Sequence, residues 1–359
     1  MADTSTASNL TVQQWDDEFF REYVRDNRFK RYMGTGANAV IQIKEDLTTK
    51  PGNSITFPMV TKLTNSAVTG NTRLSGNEEA LGNYGHQVDV TFRRNGVLVT
   101  AEEEQKSPIG LRNAAREMLK LWAMEDTRDL VITALGAITT ADGSNTAYAS
   151  ASEANKDTWL GNNSDRTLFG AATGNNAAND HSACLAEIDN TADKLDADIV
   201  SLAKRIAKTS SAPTITPIRT TEDEEWFVMF CNSLSFRDLK TDSTMLQANR
   251  EAWTRGRDNP LFRDGDLIFD GVICREVPEI SVISGVGASS INVAPNYLCG
   301  AQAVGVAYAQ RWKSSIKKED DYGFEYGVGI SSNYGCEKLH YNTKQNGVVS
   351  VFTAGVADS

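Results

Sequence analysis

The feature that most limits this chain is a pair of alternating segments separated by a stretch with very little to bury. Ile55, Phe57 and Met59 alternate with polar or small residues, and Val88, Val90 and Phe92 do so again further on, the two-residue period of a half-buried strand. Residues 65–86 between them are dense in Asn, Gly, Ser and Thr, which supply turn chemistry and few apolar groups. Residues 53–100 therefore read as one long hairpin. A two-stranded ribbon is marginal in water, so this one must lean on something outside itself, and a neighbouring subunit is the natural candidate.

The flanking sequence reads as mixed helix and strand. With 359 residues, the chain exceeds most single cores and suits about two domains or one body with large extensions. Trp15, Phe19, Phe20, Tyr23 and Val24 recur at helical spacing, while Arg21, Arg25 and Arg28 line another face, read as a solvated basic face in preference to a DNA-binding arm, on a helix that could equally dock on a neighbouring subunit. Ser107-Pro108 has the form of an N-cap and first-turn proline, opening a helix to about residue 138. Leu111, Ala115, Met118, Trp122, Ile132 and Leu135 form its apolar stripe, which Glu125 and Asp129 interrupt, so only part of its length should be buried.

Residues 139–181 are polar and read as an inserted surface loop or subdomain anchored by Trp159, Leu168 and Phe169. Leu185, Ile188, Ala192, Leu195, Ile199, Leu202 and Ile206 follow a seven-residue repeat, read as one helix laid on a sheet. Strands are expected over residues 226–231, 267–277 and 297–308, a polar helix over 236–253, and three closing strands over 322–330, 338–341 and 348–352. The class is α+β.

Catalytic chemistry finds little support. His86 and His181 fall in predicted loops and His340 in a strand, so each reads as a satisfied or exposed imidazole. No zinc-spaced cysteines, H-E-x-x-H, nucleophile elbow or phosphate loop occurs, and Gly285-Val286-Gly287 reads as a turn. Acidic runs at residues 102–104, 222–225 and 319–321 diverge along their elements and do not converge on a cation. No catalytic residue, cofactor or metal site is expected, and the protein reads as a non-enzyme.

Charge and cysteine usage narrow the partners. Lys plus Arg number 36 against 47 Asp plus Glu, a net charge of −11, so contact with DNA should be weak, local and non-specific. Five cysteines without a C-x-x-C pair suit reduced thiols in a cytosolic compartment. The longest apolar runs fall far short of the roughly 20 residues of a membrane span, and no signal pattern opens the chain. The basic groups Arg93-Arg94 and Arg250, Arg255, Arg257, Arg263 read as pairing across an interface. With Phe57, Lys62 and Arg73 of the hairpin, Arg93, Arg94, Arg255, Arg257 and Arg263 make up the expected inter-subunit contact set.

Several phrases then occur in a familiar order: Arg166-Thr167-Leu168-Phe169-Gly170, Pro213-Thr214-Ile215-Thr216-Pro217-Ile218, Phe236-Arg237-Asp238-Leu239-Lys240, Asn259-Pro260-Leu261-Phe262, Gly300-Ala301-Gln302-Ala303 and Asp321-Tyr322-Gly323. Over residues 15–352 the chain resembles tailed-bacteriophage major capsid proteins of the HK-97-type fold, in the branch typified by coliphage N-four. The resemblance implies an N-terminal arm at 1–50, an extension-loop β-hairpin at 51–106, and a spine helix with the polar inserted loop of a peripheral domain at 107–184. An axial domain at 185–310 and return strands of the peripheral domain at 311–359 complete it.

It further implies self-assembly into hexamers and pentamers of an icosahedral shell enclosing double-stranded DNA. Scaffolding, portal and decoration proteins would be partners, with assembly in the bacterial host cytoplasm and residence in the virion. An encapsulin-like cellular compartment or another phage assembly protein is the alternative with the same fold, separated by a neighbouring terminase or portal gene as against a cargo enzyme. Some such shells crosslink a lysine to an asparagine. Lys62 is placed for that, yet without an acid or base beside it mechanical interlock is the expected state.

Overall fold

The computed structural model describes residues 27–48, 51–107, 110–219, 224–252, 266–320, 322 and 324–357. The helix expected near residues 15–24 lies outside them. The chain begins with β1 (Met33–Gly34), β2 (Ile41–Lys44), β3 (Ser54–Val60), β4 (Asn83–Asp89) and β5 (Thr91–Thr100). Then come α1 (Ala101–Lys106), α2 (Leu111–Gly136), β6 (Ile138–Thr139), β7 (Asn145–Thr146), α3 (Glu153–Asn163) and β8 (Thr167–Phe169). The middle contains α4 (His181–Ala186), α5 (Ala197–Thr209), β9 (Ile218–Arg219), β10 (Glu225–Cys231), α6 (Ser233–Thr241) and α7 (Ser243–Ala252). The last third is β-rich: β11 (Leu267–Phe269), β12 (Val272–Glu276), β13 (Val293–Cys299), β14 (Val304–Asp320), β15 (Glu325–Lys338), β16 (His340–Tyr341), β17 (Lys344–Gln345) and β18 (Val348–Ala354).

Two compact units result, the larger formed by Arg28–Thr91, Arg128–Ala309 and Tyr334–Ser359. Its seven-stranded sheet runs β11-β12-β10-β13-β18-β8, with β9 paired on β10. Strand alternation sends side chains to two separate cores. Leu168, Met229, Leu298, Val349 and Val351 face α5, α6 and α7, whereas Phe169, Val293, Phe352 and Ala354 face α3 and α4.

The seven-residue repeat is not one helix. α4 ends at Ala186 and α5 starts at Ala197. Aspartates break the run: Asp189 accepts the Thr191 and Ala192 amides at 2.6 and 2.7 Å, and Asp196 caps α5 through Ile199 N at 2.8 Å. Leu185 and Ile188 belong to one core and Leu195, Ile199 and Ile206 to the other, so the apparent stripe is shared between opposite faces of the sheet. Likewise residues 139–181 are more than a surface insertion. They contribute α3 and the edge strand β8, which bury Trp159, Leu168 and Phe169.

The smaller unit is built around Phe92–Thr127 and Gln310–Asn333. Here Leu119 and Ala123 of α2 pack on Val328 and Ile330, and Trp122 meets Trp312 edge to face at 5.7 Å. α2 begins at Leu111, and its 26 residues give about 39 Å of the long helix expected. α1, unforeseen, absorbs the acidic run. Glu102, Glu103 and Glu104 occupy its first turn, where the helix dipole favours carboxylates, and Thr100 caps it.

β14 and β15 belong to a five-stranded sheet ordered β1-β2-β14-β15-β5, and each continues from one unit into the other. In the larger unit Gly335 of β15 passes directly against the end of β4, where a methyl group would overlap the Asp89 carbonyl oxygen. Because the obstacle is backbone, it has no rotamer to give. Gly335→Ala should therefore lower stability by about 1–3 kcal/mol in a urea titration.

Candidate inter-subunit surface

The hairpin β3–β4 is paired in register from Ser54↔Asp89 to Val60↔Asn83, so its return strand starts earlier than the alternation at Val88 suggested. One face of its root is a core. Ile55, Phe57 and Val88 are 3%, 1% and 0% exposed and pack on Ala307, Leu339 and Tyr341 of the same unit. Tyr341 also donates its hydroxyl to the Phe57 carbonyl at 3.2 Å, and Lys44 Nζ stands 4.6 Å over the Phe57 ring. Phe57, expected at a contact between subunits, is enclosed by its own subunit and fixes the angle at which the hairpin leaves it.

Beyond Val60 the character reverses. Val60, Leu63, Leu74 and Leu81 are 61%, 62%, 65% and 63% exposed, and Tyr84 42%. Isolated exposed leucines are ordinary, but here several cluster on 25 residues of narrow ribbon with no core of its own. A carboxylate shapes this segment. Glu79 accepts from Thr64 N at 2.7 and 2.9 Å, Thr64 Oγ1 at 2.9 Å and Asn65 N at 2.8 Å. The Asn65 and Thr64 amides hold this carboxyl below the usual carboxylate range. The clamp makes the distal loop a formed surface.

The expected contact residues separate into groups. Lys62 and Arg73 are exposed on the distal hairpin. Arg93 is engaged inside the smaller unit, its guanidinium forked onto Asp126 at 2.6 and 2.5 Å. Arg94 is exposed and lines an open trough with Asn95, Gly96, Ser315, Gly329 and Ser331. Arg255, Arg257 and Arg263 lie outside the described residues. No local pattern marks Glu79, whose role depends on residues fourteen and fifteen positions away.

One cluster has the outline of a catalytic relay. His181 Nδ1 donates to Glu153 at 2.7 Å and Nε2 accepts from the Tyr148 hydroxyl at 3.0 Å. Its surroundings exclude that use. The ring is 1% exposed among Trp159, Phe169 and Phe352, and burial pushes the Tyr148 phenol far above its ordinary range. It is a satisfied core histidine at the start of α4 rather than in a loop. Among the described residues no group of three His, Cys, Asp or Glu side chains is arranged to hold a metal, and no helix is long and apolar enough to cross a membrane. All five cysteines are buried and unpaired.

The sequence profile of the phage capsid protein family matches residues 3–357. The chain belongs to that family. This capsid protein is 37% identical to the cyanophage Pam1 capsid chain, with a TM-score of 0.92 and complete coverage of both. It is 27% identical to the major capsid protein of Pseudomonas phage KPP25 over 378 aligned positions, covering 97% of this chain and 96% of the relative. The capsid chain of Ralstonia phage GP4, at 22% identity, shares the fold with a TM-score of 0.77 over both complete chains. The fold is thus the HK-97 type, and the capsid protein is a structural subunit of a phage shell.

Proposed function

We propose that this subunit self-assembles into hexamers and pentamers of an icosahedral shell around double-stranded DNA, interlocked through the hairpin β3–β4 as an extension loop. The observation that carries this reading is the contrast along one ribbon: a root fixed in its own subunit and a distal segment with Leu63, Leu74 and Leu81 left to solvent. In this assignment α2 is the spine helix, the seven-stranded sheet forms the axial domain, and the smaller unit belongs to the peripheral domain.

Lys62, Arg73 and Arg94 are the exposed cations we assign to contacts between copies. Scaffolding, portal and decoration proteins complete the head, which assembles in the host cytoplasm, and on its ordered phrases we place the chain in the branch typified by coliphage N-four. The net charge of −11 suits a container that encloses DNA without adhering to it. Negative-stain microscopy of the full chain, expressed alone and with its scaffolding protein, should show capsomers or closed shells. A folded protein that stays monomeric in both conditions would overturn the reading.

A further inference from the structure

Two imidazoles meet where the hairpin's root docks. His86 of β4 and His340 of β16 are 6% and 7% exposed, and their rings stand edge to face with centroids 4.2 Å apart. His340 Nε2 lies 2.8 Å from the Gly143 carbonyl oxygen, an atom that only accepts, so that nitrogen carries the proton. His340 Nδ1 is buried without a hydrogen-bond partner among the described residues, and so is His86 Nε2. His340 therefore presents a nitrogen without a formed hydrogen bond inside a closed seam, and His86 Nε2 has the Glu337 carboxylate beside it.

The charged groups around the pair are unevenly placed. From β15, Glu337 brings its carboxylate within 3.3 Å of His86 Nε2 while accepting from Asn145 at 3.1 Å. Lys338, next along β15, directs its amine to Gln345 at 3.1 Å. The turn before β7 carries Asp142, occupied by Thr140 and Ser144. On the hairpin side Phe57 lies opposite His86 with Lys44 over its ring, Asp89 ends β4, and Tyr341 of β16 donates to the Phe57 carbonyl. Glu337 thus stands at ion-pair distance from His86, and among the described residues no carboxylate comes that close to His340.

We propose that the His86–His340 pair is an acid-operated latch on the hairpin: while the His340 ring is neutral it lets β4 pack on β16, and once that ring is protonated against His86 it drives the root off the body. The shell's response to mild acid would then pass through this pair, which rests on the extension-loop reading above. The sign follows from proton linkage. Burial, and then the neighbouring His86, push the docked His340 imidazole down from 6.5 to about 4. The docked state's advantage is complete above the ordinary value and is lost as pH falls toward the docked one, so acid favours undocking. Between pH 7.5 and pH 5 the docking equilibrium should shift roughly 30-fold.

Hydrogen exchange on the unassembled full-length subunit tests the latch without requiring shells. The readout is the exchange rate of β4 amides divided by that of β18 amides in the same molecule, which cancels the chemical pH dependence of exchange. In the wild type this ratio should rise roughly 30-fold from pH 7.5 to pH 5, and in His340→Gln, whose amide still donates to Gly143, by no more than about threefold. A wild-type ratio unchanged by pH, or an equal rise in His340→Gln, overturns the proposal.

Should His340→Gln not fold, His86→Gln removes the ring that faces His340 instead and must give a smaller rise than wild type. An undiminished rise in that variant also overturns the latch. Failure of the extension-loop reading is distinguishable, because it would appear as shells that form without the distal hairpin while the exchange ratio still follows pH.

Discussion

Replacing residues 62–81 by an Asn-Gly turn should abolish shell assembly while leaving the subunit folded. The cut follows the ladder: Val60 still faces Asn83, Thr61 N still donates to Gly82 O at 2.9 Å, and Asn-Gly suits the tight turn that would close the shortened hairpin. It removes the exposed Leu63, Leu74 and Leu81 with Lys62, Arg73 and the Glu79 clamp, yet leaves Ile55, Phe57 and Val88 in their core. Deletion as far as residue 86 would not be an equivalent test. It would strip β4 from β3, uncover Phe57 and confound assembly with folding. The expected result is a thermal transition close to wild type and no shells by negative stain. Normal shells from the trimmed protein would show that the distal hairpin is dispensable.

Lys338→Met should raise stability at neutral pH by about 1–4 kcal/mol. The wild-type side chain is 1% exposed, its amine donates to the Gln345 side-chain oxygen at 3.1 Å, and the Trp159 ring lies 5.9 Å away. Burial pushes this amine down from 10.5 to about 7, with the Cys299 thiol opposing slightly. The sign is fixed by the protons bound. Across that interval the unfolded chain holds more protons than the folded one, so wild-type stability rises as pH increases above about 7.

Methionine is unbranched and of similar length, fills the space without a charge, and should remove that slope. Urea midpoints between pH 6.5 and pH 8.5 provide the measurement. Higher pH is unsuitable, because burial also pushes the Cys299 and Cys336 thiols up, and their linkage lowers stability in alkali. A variant no more stable than wild type at pH 7, with the slope retained, would mean that the folded amine stays hydrated.

What the sequence made legible follows from how local each signal is. The alternation of Ile55, Phe57 and Met59 against Val88 and Val90 located the hairpin, since a strand period is written in consecutive residues. The apolar stripe of α2 was visible for the same reason. The repeat from Leu185 to Ile206 misled because helical spacing says nothing about which face of a sheet each residue meets. The break was carried by Asp189 and Asp196, whose capping bonds are short-range and could have been weighed.

His86 looked like a loop residue among turn formers, and its burial depends on His340, far along the chain. Phe57 was assigned to a neighbour on the argument that a ribbon needs outside support. The support at its root comes from Leu339 and Tyr341 of its own chain, a long-range pairing that no local pattern encodes. Glu79 was invisible because an exposed glutamate in a polar segment has no distinguishing neighbours until the loop is closed.

The smaller unit is assembled from separate stretches of chain, among them Phe92–Thr127 and Gln310–Asn333, with the larger unit's segments interleaved between them. A body made from one continuous stretch of chain is transferable with two crossovers. This one is not. Any recombinant that replaced a single segment would join strands β14 and β15 from one parent to an α2 from another, and the Trp122–Trp312 contact and the packing of Leu119 and Ala123 on Val328 and Ile330 would have to match by chance. Inheritance of the subunit as a whole, with variation confined to the distal hairpin and surface loops, is the pattern such a layout should leave among relatives.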